Sequence, residues 1–253
     1  MNMSGNTILI TGGTSGIGRG LAEAFHDRGN RVIILGRRQD KLDEITAAHS
    51  NMRGIALDVR DVDAIEDLAL RLREEEPGLN VLINNAGISR EQSLVPGKAS
   101  LSVTREIIDT NVVSVINATA VFLPQLAGQQ QSTIITTTSG LGFVPRSNFP
   151  TYCASKAFLH SWLQSLRVQL KNYPIEVLEL VPPYVQTELI SEHQLADPHA
   201  MPLDDFVEEV MALLTAGDAP NGEILVERVQ GTRFAEQNGD FNQRFAIFNN
   251  LNH

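Results

Sequence analysis

The sequence predicts an α/β fold: a doubly wound parallel sheet of about seven strands, covered on both faces by helices in a three-layer α/β/α arrangement. Three observations predict it. Short β-branched runs alternate with longer helical patterns along nearly the whole chain. A glycine-rich stretch, TGGTSGIGRGLAEAF from Thr11 to Phe25, lies where the first run gives way to the first helical pattern. No Gly/Ser linker, internal repeat or low-complexity tract breaks the alternation before about Glu227, so residues 1–253 are read as one domain.

In chain order, TILIT, RVIIL, RGIAL, NVLIN, STIITTT, IEVLEL and GEILVE read as strands. Most are rich in Ile, Val, Leu or Thr, and a run such as RVIIL, apolar without alternation, suits a parallel strand buried on both faces. Between the strands, apolar residues recurring every three or four positions predict helices near 16–28, 41–49, 62–75, 101–126, 151–172 and 203–214. Two stretches break the rhythm. Residues 187–206, TELISEHQLADPHAMPLDDF, separate the sixth strand from a late helix, a place where long irregular connections form active-site lids. In the tail, 232–253, Phe234, Phe241, Phe245 and Phe248 fit an amphipathic helix packed on the body or on another subunit, with a disordered end as the alternative.

Thirty acidic against twenty basic residues give a formal net charge of -10. That balance argues against a nucleic-acid or anionic-membrane surface, because phosphate attraction needs clustered Lys and Arg. The single cysteine, Cys153, cannot close an intrachain disulfide, and MNMSGNTILITGG enters a strand-like run at once without a signal-peptide pattern; a cytoplasmic location is expected. No formally charged residue occurs from Val112 to Pro145. The most apolar part of that segment, Val112 to Leu126, falls short of the roughly 20 residues a spanning helix needs, so a buried or subunit-packed helix is expected instead. The six histidines lack H-E-x-x-H or comparable spacing, no metal is assigned, and His160 is read as a packing residue.

Two motifs carry chemistry. The loop after the first strand has the spacing G-x-x-x-G-x-G at Gly12, Gly16 and Gly18; glycines there allow close backbone approach to a pyrophosphate, and the following helix aims its N-terminal N–H groups at the anion. It reads as a dinucleotide cradle, with an ordinary strand-to-helix turn as the alternative. The second motif is YCASKAFLHSW, where Lys156 follows Tyr152 by four residues and so shares its helix face. At about 4 Å and an effective dielectric near 20, the ammonium would favour the phenolate by about 4 kcal/mol, enough to bring a phenol toward neutrality. About 0.05 such spacings are expected by chance from three tyrosines and four lysines, so the pair acquires meaning only from its surroundings.

Those surroundings are specific. With TGGTSGIG, NNAG at 84–87, LDV at 57–59, Asn111, Ser139, Tyr152 and Lys156 in this order, nearly the whole chain resembles the short-chain dehydrogenase/reductase family in its main branch of about 250 residues, a Rossmann-type fold. The resemblance implies a catalytic tetrad: Tyr152 as acid/base, Lys156 lowering its pKa and holding the nicotinamide ribose, Ser139 hydrogen-bonding the reacting oxygen, and Asn111 at the position that holds a proton-relay water. It implies cofactor contacts from Gly12, Thr14, Ser15, Gly16, Ile17 and Gly18, from Asp58 and Val59 near the adenine, and from Asn85, Ala86 and Gly87 near its ribose. A turn or cap role for Asp58 remains open. Past the sixth strand, VPPYVQTE has Pro183 where the family has glycine, which a fixed φ cannot copy. Val185 and Thr187 are the remaining nicotinamide contacts there. The double proline with GEILVERVQG is similar to the subgroup labelled DltE-type oxidoreductases.

The implied activity is interconversion of a carbonyl and an alcohol by hydride transfer, on a small-molecule substrate. NADP(H) is expected over NAD(H): Gly36 stands where NAD-selecting enzymes place an acid, Arg37 and Arg38 follow with forks suited to a 2′-phosphate, and Asp40 is read as a helix cap. The rival is a catalytically silent NADP(H)-binding sensor or scaffold; an epimerase of the family's extended branch would need a further C-terminal substrate domain. A homodimer or homotetramer is expected, with no nucleic-acid or membrane partner. The substrate walls, 89–103, 141–149 and 187–206, are mixed in polarity and predict no clustered basic recognition site.

Overall fold

Seven strands form one sheet among the described residues, which are 1–96 and 101–251 of this computed structural model. They are β1 (Thr7–Thr11), β2 (Arg31–Gly36), β3 (Met52–Ala56), β4 (Leu79–Asn84), β5 (Ser132–Thr137), β6 (Ile175–Leu180) and β7 (Glu223–Ile224). All pair in parallel, in the order β3-β2-β1-β4-β5-β6-β7. The helices are α1 (Gly16–His26), α2 (Gln39–Ala48), α3 (Val62–Glu75), α4 (Leu101–Ile108), α5 (Ser114–Ala127), α6 (Pro150–Gln169), α7 (Leu203–Ala216), α8 (Glu227–Arg233), α9 (Ala235–Asn238) and α10 (Phe241–Phe248). Part of the expected 89–103 wall, residues 97–100, lies outside the described residues, as do the last two residues of the tail.

Strand alternation builds the three layers. Side chains two apart share a face, so Ile8, Ile10, Val32, Ile34, Val81 and Ile83 join one core with Leu21, Phe25, Phe206 and Val210 of α1 and α7. Leu9, Ile33, Leu35 and Leu82 join the other, against Ile65, Leu68, Phe122, Leu126 and Leu163 of α3, α5 and α6. The sheet is thus apolar on both faces, which is why its strands show no polar alternation.

Differences from the sequence reading have local causes. GEILVE is a strand only at Glu223–Ile224, because β7 meets β6 at two positions before the chain turns into α8; Leu225 and Val226 are buried without being paired. The expected 101–126 helix contains a π-helical turn, Asp109–Val113, between α4 and α5. The stretch Leu101–Ala127 is long and apolar enough to cross a membrane, contrary to the length expectation, yet half of its most apolar window is buried inside the fold. Asp40 is no cap: Arg38 holds the N-cap position of α2 and Asp40 sits in its first turn, where a carboxylate meets the positive dipole end. α7 begins at Leu203 as expected, so the last four residues of the 187–206 segment belong to that helix, and Phe206 is core. The tail folds as α9 and α10 rather than one helix, broken by Gly239 at φ 74.

Candidate active site

The order of the sheet reverses between β1 and β4, and the carboxyl ends of the strands there open a crevice. A cleft of about 930 Å³ runs from that crevice to the substrate side, lined by the glycine loop at one end and by Ser139, Tyr152 and Lys156 at the other. Gly12 and Gly16 adopt left-handed backbone at φ 68 and 51, and a Cβ on Gly12 would lie 2.8 Å from Ala86 Cα. A Cβ on Gly18 would overlap the Gly12 carbonyl and the Asn85 amide. Only glycines allow the loop to lie this close to the turn after β4. Thr11 Oγ1 accepts hydrogen bonds from the N–H groups of Asn85 and Ala86, each at 3.0 Å, and Asn85 Nδ2 donates to the Gly12 carbonyl at 3.2 Å. Ser15 at the N-cap of α1 makes no side-chain cap, so the first-turn N–H groups meet no side-chain acceptor and face the cleft that Ser15, Gly16 and Ile17 line. An uncapped helix start beside a glycine cradle fits a pyrophosphate.

Arg37 and Arg38 are exposed on the cleft wall, and a Cβ at Gly36 would collide with the Thr14 methyl, so an acid there is sterically excluded as well as absent. Asp58 and Val59 also line the cleft. The Asp58 carboxylate is engaged by Arg60, with Nη2 to Oδ2 at 2.6 Å and the Arg60 N–H to Oδ1 at 3.0 Å, which holds its pKa below the usual range. It therefore serves as a turn cap too, while the cap of α3 is Asp61, accepting from the Ala64 N–H.

Pro150 at the first turn starts α6, and the residues three and seven positions into the helix, Tyr152 and Lys156, face the cleft from its buried side. Lys156 Nζ donates to the Thr137 carbonyl at 2.8 Å and lies 5.8 Å from the Tyr152 ring centre. Burial pushes the Tyr152 phenol up to about 12, with the Ser139 hydroxyl beside it working the other way. Burial also pushes Lys156 down to about 8, opposed by the charge of Glu179. In the protein alone the ammonium is turned to the Thr137 carbonyl, and burial rather than the lysine sets the direction of the phenol's shift. Ser139, two residues past β5, is in extended backbone and accepts from the Leu141 N–H at 3.1 Å.

Asn111 is fully buried in the π turn, a feature found often at functional sites. Its Nδ2 donates to the Ile88 carbonyl at 3.0 Å and to Ser155 Oγ at 3.1 Å, and its Oδ1 accepts from the Ile88 N–H at 2.9 Å. Ser155 Oγ in turn donates to the Tyr152 carbonyl, tying the turn to the helix that carries the phenol. A Cβ added to Gly87 would lie 3.5 Å from Asn111 Oδ1 and 3.7 Å from Lys156 Nζ, so the glycine leaves open the space between amide and ammonium. His160 does more than pack: its Nδ1 meets the buried Glu179 carboxylate at 2.8 Å, and its ring stands edge-on to Phe143.

Val185 and Thr187 are buried at the cleft, and Thr187 packs within 3.1 Å of where a Gly16 side chain would begin. Sequence reasoning missed Gln194, whose Nε2 donates to the Val185 carbonyl at 2.7 Å and to Thr187 Oγ1 at 3.2 Å while its Oε1 accepts from the Ile190 N–H. It ties residues 185–194 together. Sequence reasoning also missed that Arg90, Arg146, Arg228 and Arg244, far apart in sequence, all line the cleft. One signal was available, since Arg146 is where charge returns after the uncharged run, between Ser139 and Tyr152.

The sequence pattern of the short chain dehydrogenase family matches residues 6–197. An oxidoreductase of Bacillus subtilis named DltE, itself uncharacterised, is 37% identical over 252 residues, 98% of each chain. Among solved structures, a short chain dehydrogenase from Burkholderia cenocepacia in complex with NADP superposes with a TM-score of 0.82 at 24% identity, over 97% of this chain and 99% of that one. The closed form of a serine dehydrogenase complexed with NADP+ gives a TM-score of 0.76 at 28% identity, over 85% of this chain and 90% of that one. With a family pattern spanning well over half of its length and a relative aligned from end to end, the chain belongs to the short-chain dehydrogenase/reductase family of oxidoreductases.

Proposed function

We propose that the protein is an NADP(H)-dependent oxidoreductase that interconverts a carbonyl and an alcohol, with Tyr152 as general acid/base. The observation that carries the reading is the gathering of a phenol, a hydroxyl and an ammonium, from Tyr152, Ser139 and Lys156, on the wall of the cleft that begins at the glycine loop. Gly12, Thr14, Ser15, Gly16, Ile17 and Gly18 hold the pyrophosphate, Asp58, Val59, Asn85, Ala86 and Gly87 line the adenosine side, and Arg37 and Arg38 meet the 2′-phosphate. The serine dehydrogenase relative is described with NADP+, which supports the choice. The bound nicotinamide supplies or accepts the hydride.

In the reducing direction the Ser139 hydroxyl and the Tyr152 phenol both point hydrogen-bond donors at the carbonyl oxygen. Tyr152 gives its proton as negative charge grows on that oxygen, and Lys156 stabilises the phenolate left behind. A phenol held near 12 keeps its proton at neutral pH and is ready as an acid. The gap that Gly87 leaves between Asn111 and Lys156 is where a water would return the proton. Val185 and Thr187 shape the nicotinamide end. We read residues 1–253 as one domain with a lid at 187–202 and a covering tail, working in a reducing compartment such as the cytoplasm, in accord with its single buried Cys153. A screen of carbonyl compounds followed by NADPH absorbance tests the reading: turnover of at least one is expected, and NADPH binding without any turnover would favour a sensor.

A further inference from the structure

One end of the cleft collects positive charge on a molecule whose net charge is -10. Of its four arginines, three already have partners: Arg244 pairs with Asp240 at 2.6 Å, Arg228 Nη2 donates to the His199 carbonyl at 2.6 Å, and Arg90 Nη1 donates to the Ser89 carbonyl at 3.0 Å. Arg146 differs. Its side chain has neither a carboxylate nor any hydrogen-bond acceptor among the described residues, and its Nε is shielded from solvent and unpaired. A buried cationic donor without an acceptor is costly, and its planar fork matches a carboxylate.

The backbone at Arg146 is nonetheless held firmly. Asn249, just past α10, donates from Nδ2 to the Pro145 carbonyl at 3.1 Å and accepts from the Ser147 N–H at 2.5 Å, gripping the chain on both sides of the arginine. The Arg146 N–H donates to Cys153 Sγ at 3.4 Å, which places the arginine beside the residue that follows Tyr152. Phe149, Tyr152 and Cys153 form an apolar cluster with Leu141 and Ile190, so the pocket between phenol and guanidinium has hydrocarbon walls. The tail thus holds the backbone of a half-buried arginine, whose guanidinium lies 6.0 Å over the Phe149 ring with its hydrogen-bond donors free.

We propose that Arg146 binds a carboxylate of the substrate, which is therefore a short oxo acid or hydroxy acid rather than a neutral ketone or alcohol. The proposal rests on the reading of Tyr152 as the acid/base in the same pocket. Arg146 alone of the four lacks a hydrogen-bond acceptor among the described residues, and the two parallel donors of its planar fork match the two oxygens of a carboxylate. Asn249 is a positioning residue for it.

The test compares short straight-chain 3-oxo acids with their methyl esters as substrates for NADPH oxidation. Wild type is expected to favour the acids in kcat/KM by about ten- to a hundredfold. Arg146→Met is expected to erase that preference through KM, with ester turnover and NADPH affinity kept, and Arg146→Lys to restore part of it. Equal turnover of acids and esters by wild type, or a preference that survives in Arg146→Met, overturns the proposal. Failure to reduce any carbonyl compound counts against the oxidoreductase reading instead. The anion site is then read by calorimetric titration of 3-hydroxybutyrate and its methyl ester into the NADP+-loaded protein. Tighter binding of the acid, lost in Arg146→Met, supports the site, and equal binding overturns it.

Discussion

A side chain at Gly36 would run into Thr14, so cofactor choice at this corner depends on two residues rather than one. Gly36→Asp alone is expected to weaken both cofactors, whereas Gly36→Asp with Thr14→Ala makes room for the acid and should turn preference to NADH. Arg37→Ala should weaken NADPH by about ten- to a hundredfold and leave NADH nearly unchanged; fluorescence titration of both cofactors reads each outcome. A second residue-scale prediction concerns pH. Burial depresses Lys156 to about 8, so its charge is present below that value and lost as pH rises through it, while the phenol near 12 stays protonated throughout. The kcat/KM for NADPH should therefore fall as pH rises through about 8, and Glu179→Gln, which removes a charge that raises Lys156, should move that limb to lower pH. An unmoved limb would sever Glu179 from Lys156. At this scale the Tyr152–Lys156 pair was legible from helix spacing, and Asn111 and Ser139 were named only through the family resemblance. Arg146, Gln194 and Asn249 were not: Asn249 meets its partners only when the tail folds back on 145–147, and Gln194 bonds neighbours within an irregular loop that has no periodicity to read.

The connection between β6 and α7 depends on one buried amide at the element scale. Gln194 supplies three hydrogen bonds that tie Val185, Thr187 and Ile190 together, so Gln194→Ala should open residues 187–202 to limited proteolysis and raise KM, with only a small change in thermal midpoint. Unchanged cleavage would show that the bridge between Val185 and Met201 holds the lid without it. That the segment is an irregular connection was legible from its length and its lack of periodicity; what holds it was not. The π turn at Asp109–Val113 was likewise hidden, since one extra residue in a turn shifts an apolar pattern too little to see within an uncharged helix. The tail's Phe residues did signal packing. They could not signal that Gly239 divides the segment or that it covers the cleft.

The doubly wound sheet was legible at the scale of the whole molecule, because seven short runs, apolar on both faces, leave few other ways to bury them. Only the edge misled: Leu225 and Val226 look like strand residues by composition but have no neighbour to pair with. Val113 of the π turn and Phe158 of α6 still expose apolar side chains, at 40% and 47%. Closed assembly through such side chains is expected, so light scattering at micromolar concentration should give a dimer or tetramer, and a strictly monomeric mass would reject that. The central claim is that this cleft performs proton and hydride chemistry at Tyr152 rather than merely holding a nucleotide. Its most direct test is one paired measurement on Tyr152→Phe: steady-state NADPH oxidation with any substrate that wild type reduces, and NADPH affinity by nicotinamide fluorescence. Turnover lost with affinity nearly unchanged is the predicted result; turnover retained at the wild-type rate would contradict the account.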